Sequence, residues 1–220
     1  MRIIFLIFIT LFNLSFAVTA DGLSTSEVEA LTVQEKKSRF FNLVVPAITA
    51  VHKEQNKEYS RLLHIIAHNK DKEMIESLKE KYNASTKKEL MYALKPHPIS
   101  ITIAQAAIES AWGTSRFFNI ANNIFGVWSL NKSEPRVAAS ESRGSHTVWL
   151  KKFESFEDSV RDYYRVLGAV RAYSAFRETR FYSDDVAKIA SKLDRYSELG
   201  DEYTKKLLTI IEQNKLTQYD

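Results

Sequence analysis

Hydrophobic residues recur every three or four positions through most of the chain, which is the period of an amphipathic α-helix. Between residues 34 and 95 this pattern predicts a series of helices. Pro46 lies within the pattern, where it either kinks one long helix or occupies the first turn of a second one. Thr86 and Glu89 have the spacing of a capping box and predict the start of a short helix. Two prolines soon after that helix indicate a boundary at residue 96.

The pattern changes beyond this boundary. Residues 99–112, ISITIAQAAIESAW, contain almost no charge and predict a helix that is buried on nearly every side, with Gly113 as its C-cap. Residues 136–153 hold two β-prone stretches on either side of Gly144 and predict a hairpin. Serine or acidic starts followed by apolar periodicity predict three more helices, which begin near Ser155, Ser183 and Asp201.

Composition agrees with a mostly helical α+β protein. Of the 220 residues, 45% are hydrophobic and 26% are charged, and six glycines with four prolines are too few for an all-β protein rich in turns. We expect a helical extension over residues 21–95 and one compact domain over residues 96–220. The net charge of +4 comes without a basic stripe, which argues against nucleic-acid binding, and we expect a monomer.

The first twenty residues, MRIIFLIFITLFNLSFAVTA, have the pattern of a signal peptide. Small residues at Val18 and Ala20 predict cleavage before Asp21, and the alternative is an uncleaved inner-membrane anchor. Both interpretations export the remainder, so we expect a location in the periplasm or cell envelope. The chain has no cysteine, so its stability there depends on its core and not on disulfides.

Glu109 is the only acidic residue between Glu89 and Glu134, and it lies near the end of the apolar helix. One interpretation places it on a narrow polar stripe with Gln105, facing solvent. The other is that it faces a cleft, where Trp112 excludes water and favours the protonated carboxyl, since burial of a charged carboxylate is costly. A carboxyl group that stays neutral is what a general acid in glycoside hydrolysis needs.

Two motifs around Glu109 carry a family resemblance. The run QAAIESAWGTS at 105–115, followed by NNIFGVW at 122–128, resembles the signature of glycoside hydrolase family 73, the bacterial N-acetylglucosaminidases of peptidoglycan. Two further blocks, KKSRFFNLVVPAI at 36–48 and LDRYSELGDEYTKKL at 193–207, are similar to the Bax-type proteins of Gram-negative bacteria. The resemblance implies a lysozyme-like fold, in which a helical lobe and a small β-hairpin lobe face each other across a sugar groove.

The resemblance also implies a substrate and a set of roles. The substrate is the glycan strand of peptidoglycan, cleaved at the β-1,4 bond between N-acetylglucosamine and N-acetylmuramic acid. Glu109 matches the catalytic acid, and Tyr196 matches a tyrosine that positions the substrate. Glu141 on the hairpin is our choice for the second carboxylate, although AASESRG differs from the usual Thr-Glu-Tyr pattern; Glu134 is the alternative, and the acetamido group of the substrate could replace both. Residues expected to contact or shape the sugar site are Gln105, Trp112, Asn123, Phe125 and Trp128.

Other site classes find little support. His64 and His68 lie one helical turn apart, but the HExxH pattern and an obvious third ligand are absent, so we expect no metal and no cofactor. The rival functions are a lytic transglycosylase, whose usual Gly-Leu-Met-Gln block is missing, and a non-catalytic module that binds the cell wall. The helices before Pro96 could brace the catalytic domain, cover its groove or bind a protein partner.

Overall fold

The computed structural model describes residues 21–143 and 146–220, with the side chains of residues 140–143 and 146 left undescribed. The predicted signal peptide and Gly144 lie outside the described residues. Within them the α-helices are α1 (Thr25–Ala30), α2 (Val33–Ala67), α3 (Lys72–Lys81), α4 (Lys87–Leu94), α5 (Ile99–Glu109), α6 (Arg116–Ala121), α7 (Phe156–Ala169), α8 (Ser174–Tyr182), α9 (Val186–Ala190) and α10 (Asp201–Gln213). The strands are β1 (Arg136–Arg143) and β2 (His146–Lys151), and short 3-10 helices cover Arg171–Tyr173, Ser191–Tyr196 and Leu216–Tyr219.

The helices predicted between residues 34 and 95 form. A capping box starts α2, because the Thr32 side chain accepts from the Glu35 amide and the Glu35 carboxylate accepts from the Thr32 amide. The helix continues through Pro46, so the segment is one long helix and Pro46 does not begin a second one. Among the described residues no helix is both long and apolar enough to cross a membrane.

Helix α5 lies at the centre of the main hydrophobic core. Residues 99–107 are all buried, as the lack of charge in this segment predicted. Helices α2 and α10 and the last 3-10 helix pack around α5, while α7 packs on α2. The first half of α2 contributes Phe40, Val44, Ile48 and Val51 to the same core. Residues from the predicted extension and from the predicted catalytic domain therefore share one core.

The second half of α2 belongs to a separate, smaller cluster. There it packs with α3 and α4 through buried residues that include Leu62, Ile75 and Leu90. This cluster includes Ala169, the last residue of α7, and α4 also packs against α8. The helices before residue 96 thus pack against later parts of the chain in both clusters.

The end of α5 differs from the prediction. The helix stops at Glu109 and not at Trp112, because Ala111, Trp112 and Gly113 have positive φ angles of 50°, 58° and 74°. A left-handed backbone costs roughly 1–2 kcal/mol for a residue that has a Cβ atom. The Ser110 hydroxyl supports this turn, since it donates to the Ala106 carbonyl at 2.6 Å and accepts from the Gly113 amide at 2.9 Å. The turn makes Glu109 the last helical residue.

The hairpin and the C-terminal helices follow the predictions more closely. Strands β1 and β2 pair antiparallel from Arg136 and Lys151, with an irregularity between Ala138 and Ser142. Ser155 caps α7, Asp185 caps α9 and α10 begins at Asp201. Helices α1, α6 and α8 were not predicted.

The position of α2 in the core leads to a stability test. We expect Ile48→Ala to lower the free energy of unfolding by about 2–5 kcal/mol, because it leaves a cavity beside α5. Thr49→Ala is the matched control, since Thr49 is exposed on the same helix and its loss should change stability by less than about 0.5 kcal/mol. Urea unfolding followed by circular dichroism measures both. Equal stabilities would show that α2 is not part of the core.

Candidate active site

A cavity of about 300 Å³ opens beside Glu109 at the end of α5. Four of the residues predicted for the site meet in its wall, namely Glu109, Phe125, Trp128 and Tyr196. The wall is completed by Gly126, Val127, Tyr163, Val166 and Tyr173. A larger cavity of about 610 Å³ includes residues from α4 and α8, but its two acids, Glu89 and Glu178, are exposed. Only a carboxyl in an apolar wall has the setting of a general acid, so the smaller cavity is the candidate active site.

The carboxyl group of Glu109 is partly buried and has one hydrogen-bond donor among the described residues. Its Oε1 accepts from the hydroxyl of Tyr203 at 2.9 Å. Burial raises the pKa of Glu109, and this effect outweighs the Tyr203 hydrogen bond and the charge of Lys206, which both lower it. The environment therefore favours the protonated carboxyl that general acid catalysis requires.

Tyr203 contacts Glu109, and the sequence did not single it out. Its hydroxyl lies between Glu109 and Gln105, whose Nε2 donates to it at 2.9 Å. Its ring stacks on that of Tyr196, with the centroids 5.5 Å apart and the planes at 18°. Both tyrosines belong to the block LDRYSELGDEYTKKL, so this block pointed to the region but not to the tyrosine that touches Glu109.

Aromatic rings form most of the cavity wall. Phe125 is 5% exposed and stacks on Tyr163, with the centroids 4.1 Å apart. Trp128 is 49% exposed at the rim and is held beside the hairpin by a β-bridge to Leu150. Tyr196 packs against both Tyr203 and Tyr173. Such rings can pack on the apolar faces of sugar rings, with Trp128 the most accessible of those predicted.

Comparison with known proteins identifies the family. The glucosaminidase family, described as mannosyl-glycoprotein endo-beta-N-acetylglucosaminidase, matches residues 84–216 of this chain. This chain belongs to the glucosaminidase family. The match includes Glu109, the cavity wall and Tyr203, and it begins before the boundary predicted at residue 96. The resemblance to glycoside hydrolase family 73 is thereby confirmed.

Three similar proteins illustrate the range of this glucosaminidase family. The chain is 28% identical over 198 residues to Protein bax of Escherichia coli (strain K12), covering 82% of this chain and 70% of the other. It is 31% identical over 131 residues to the exo-glucosaminidase LytG of Bacillus subtilis (strain 168), covering 55% of this chain and 45% of the other. The crystal structure of the catalytic domain of the autolysin Auto of Listeria monocytogenes has a TM-score of 0.53 at 22% identity, covering 89% of this chain and 94% of the other. This likeness confirms the lysozyme-like, mostly helical α+β fold.

Two residues predicted to bind substrate have internal partners in this glucosaminidase. Gln105 is fully buried, and its Oε1 accepts from Tyr163 while its Nε2 donates to Tyr203. Asn123 is also buried, and its side chain hydrogen-bonds only backbone groups, those of Val127 and Lys151. Neither residue lines the cavity. Asn123 instead holds the loop that carries Trp128.

Trp112 also lies away from the cavity wall. It packs edge-on against Phe40 and Phe41, and the Lys37 ammonium lies 4.5 Å from its ring centroid. The left-handed turn after Glu109 directs the chain this way. The apolar surroundings of Glu109 come from Phe125, Tyr173 and Tyr196 in place of the tryptophan.

The two candidates for a second carboxylate are Glu141 and Glu134. The backbone of Glu141 lies in β1, while its side chain lies outside the described residues. The carboxylate of Glu134 accepts from the Ser129 hydroxyl at 2.7 Å and lies 3.8 Å from the Lys151 ammonium, away from the cavity wall. Among the side chains that the structure describes, no three from histidine, aspartate or glutamate lie close enough together to hold a metal ion. The His64 and His68 rings pack 4.1 Å apart without a third partner of that kind.

The raised pKa of Glu109 makes a prediction about stability. Because its pKa is higher in the folded state, the wild-type protein loses stability as the pH rises and the carboxyl ionises. We therefore expect Glu109→Gln to have a higher Tm than wild type at about pH 8 and an equal Tm at about pH 4. Glu212→Gln removes an exposed acid from α10 and is the charge-matched control, for which no such gain is expected. A Tm of Glu109→Gln below wild type at pH 8 would contradict the burial argument.

Proposed function

We propose that this chain is an endo-acting peptidoglycan glucosaminidase, which hydrolyses the β-1,4 bond between N-acetylglucosamine and N-acetylmuramic acid with Glu109 as the general acid. Membership of the glucosaminidase family supports glycoside hydrolysis, and the names of the autolysin and glucosaminidase relatives agree with a cell-wall substrate. The observation that carries the proposal is the partly buried Glu109 carboxyl, held by Tyr203 in a cavity walled by aromatic rings.

The reaction begins when the Glu109 carboxyl donates its proton to the glycosidic oxygen. The bond between that oxygen and the anomeric carbon breaks, its electron pair leaves with the departing sugar, and positive charge develops on the ring. Glu141, or the acetamido group of the substrate, then stabilises that charge or directs the attack of water. The water oxygen bonds to the anomeric carbon, and the proton that it loses passes to Glu141 or to the carboxylate left on Glu109. Tyr196 in the wall positions the sugar through its hydroxyl, and Phe125 and Trp128 shape the groove.

A wall substrate requires an enzyme outside the cytoplasm. The proposal therefore includes a periplasmic or envelope location, which agrees with the signal-peptide pattern in residues 1–20. The packing of α2 in the main core supports a bracing role for the helices between residues 21 and 95, and we propose that the enzyme acts as a monomer.

Product analysis separates this activity from its rivals. Digestion of purified peptidoglycan should yield muropeptides that end in reducing N-acetylglucosamine, as identified by mass spectrometry. Products ending in anhydro-N-acetylmuramic acid would identify a lytic transglycosylase. Release of single N-acetylglucosamine residues from chain ends would identify exo cleavage, the activity in the name of the Bacillus subtilis relative.

Removal of the acid tests the role of Glu109. Glu109→Gln should lower kcat by about 10²–10⁴-fold, because an amide has no proton to give at working pH. The Glu212→Gln control should remain active, and binding of the Glu109 variant to insoluble peptidoglycan should equal that of wild type. Undiminished lysis by Glu109→Gln would remove Glu109 from the mechanism, and binding without lysis by the wild type would indicate a wall-binding module.

Parallel variants identify the second group. We expect Glu141→Gln to lower kcat and Glu134→Gln to leave it near wild type, because the Glu134 carboxylate is already engaged by Ser129 and Lys151. Initial rates on the same peptidoglycan measure both. Full activity in both variants would favour participation of the acetamido group of the substrate.

A further inference from the structure

A chain of buried side chains extends from Glu109 through the core to a buried arginine. Its members come from α10, α5, α7, the loop between α4 and α5, and α8, in the order Tyr203, Gln105, Tyr163, His97 and Arg180. Tyr203 Oη lies 2.9 Å from Glu109 Oε1, and Gln105 Nε2 lies 2.9 Å from Tyr203 Oη. Tyr163 Oη lies 2.7 Å from Gln105 Oε1. His97 Nε2 lies 3.0 Å from Tyr163 Oη, and Arg180 Nη1 lies 3.3 Å from His97 Nδ1. All five side chains between Glu109 and the far end are buried.

The chemistry of Arg180 sets the direction of the first link. A guanidinium has donors and no acceptor, so Nδ1 of His97 must accept. Burial and the nearby charge of Arg180 lower the pKa of His97 well below its usual value, so the ring is neutral and carries its one proton on Nε2. That proton faces two oxygens, the hydroxyl of Tyr163 at 3.0 Å and that of Thr102 at 2.9 Å. Because Nε2 carries the proton, the Tyr163 hydroxyl cannot donate to it and faces it only as an acceptor.

The remaining links point the same way. The Tyr163 hydroxyl faces the proton on His97 Nε2 and directs its own single proton to Gln105 Oε1. The Gln105 amide then presents its NH₂ group to Tyr203, and this group can only donate. The Tyr203 hydroxyl therefore accepts from Gln105 and gives its proton to Glu109 Oε1. Every hydrogen bond from the guanidinium to the carboxyl runs toward Glu109.

We propose that the chain formed by Arg180, His97, Tyr163 and Gln105 is a positioning device for the general acid, which keeps the Tyr203 proton on Glu109 Oε1 and so confines the transferable proton to Oε2. The inference rests on the proposed role of Glu109. Arg180, His97 and Gln105 lie outside the cavity wall, and Tyr163 contributes to that wall while its hydroxyl donates to Gln105. None of the four contacts the Glu109 carboxyl, so they act on it through Tyr203. A carboxyl with its proton on one fixed oxygen is oriented for a single proton transfer, whereas a freely rotating one is not.

The surroundings of Arg180 support a role beyond packing. Its Nη2 donates to the carbonyls of Tyr92 and Ala93 at 2.7 and 2.8 Å, and among the described residues no acid forms an ion pair with it. Its Nε has no hydrogen-bond partner. A buried charge without a counter-ion is costly, and an apolar residue would pack the same space without that cost. The desolvation cost of this charge is explained if His97 needs a partner that can donate a hydrogen bond and can never accept one.

The experiment compares two adjacent tyrosines on α7. Tyr163→Phe removes the central hydroxyl of the chain, so the Gln105 amide can turn over and offer its oxygen to Tyr203 in place of its NH₂ group. Tyr203 would then direct its proton to Gln105, and Glu109 would lose the bond that stabilises its ionised form. Tyr164→Phe is the matched control, because the Tyr164 hydroxyl is equally buried but contacts Thr102 at 3.3 Å on a side branch.

Two measurements on the full chain give the readout. The alkaline limb of the kcat profile should move upward in Tyr163→Phe by about half a pH unit or more, with kcat about tenfold lower and KM unchanged. The Glu109 carboxyl, labelled with ¹³C and assigned with Glu109→Gln, should titrate at a correspondingly higher pH. The other titratable groups that act on Glu109 among the described residues are Tyr173, Tyr196 and Lys206, which both variants leave unchanged. Tyr164→Phe should show neither shift.

Each result decides the proposal. Coincident titration curves for the two tyrosine variants would overturn it, whatever their Tm values. If Tyr163→Phe does not fold, Gln105→Met is the second variant, which removes the NH₂ donor without supplying an oxygen that competes for the Tyr203 proton. Tyr203 should then keep donating to Glu109 and the titration should stay close to that of wild type, and a full upward shift in Gln105→Met would overturn the proposal. The NMR titration does not depend on lysis. Persistent lysis by Glu109→Gln would thus reject the proposed function, and the NMR titrations would still show whether the chain acts on the Glu109 carboxyl.

Discussion

The site depends on a carboxyl group placed at the end of a helix that is buried on every side. Helix α5 has no charged residue before Glu109, and its first nine residues are fully enclosed by the core. A carboxyl in this position loses hydration, which favours the neutral acid. The surrounding residues compensate with one hydrogen bond from Tyr203 and one nearby charge, from Lys206. Burial thus raises the pKa of Glu109, and the hydroxyl of Tyr203 holds its carboxyl group in place.

The backbone contributes to this placement as much as the side chains do. Two non-glycine residues in left-handed geometry, Ala111 and Trp112, end α5 at Glu109. A helix that continued to Trp112 would have brought the tryptophan toward the same end of the helix as Glu109. The strained turn instead packs Trp112 against Phe40 and Phe41 of α2. The same turn therefore leaves Glu109 as the last helical residue and joins the end of α5 to α2.

Several of the polar residues inside the core form one connected system. Burying His97, Gln105 or Tyr163 alone would cost free energy, because a polar group in an apolar interior loses its hydrogen bonds to water and gains none in their place. Joined in sequence, these three side chains are hydrogen-bond partners for one another, and such networks help to specify the arrangement of the elements that carry them. Here those elements are α5, α7, α8 and α10, which also form the walls of the candidate active site or lie behind them.

The sequence by itself determined the features that depend on local pattern. Periodicity and capping residues located α2, α4, α7 and α10, lack of charge identified α5 as buried, and the isolation of Glu109 among apolar residues marked it as chemically unusual. The short helices α1, α6 and α8 carry too few periods for their pattern to be distinctive, and they were missed.

Only the tertiary structure decided that α5 stops at Glu109, that Trp112 turns away, and that Gln105 and Asn123 have internal partners. It also showed that Tyr203, 94 residues after Glu109, supplies the hydrogen bond to the acid. These are contacts between residues distant in the chain, and nothing in the local periodicity of a helix specifies which residue of another helix will face it.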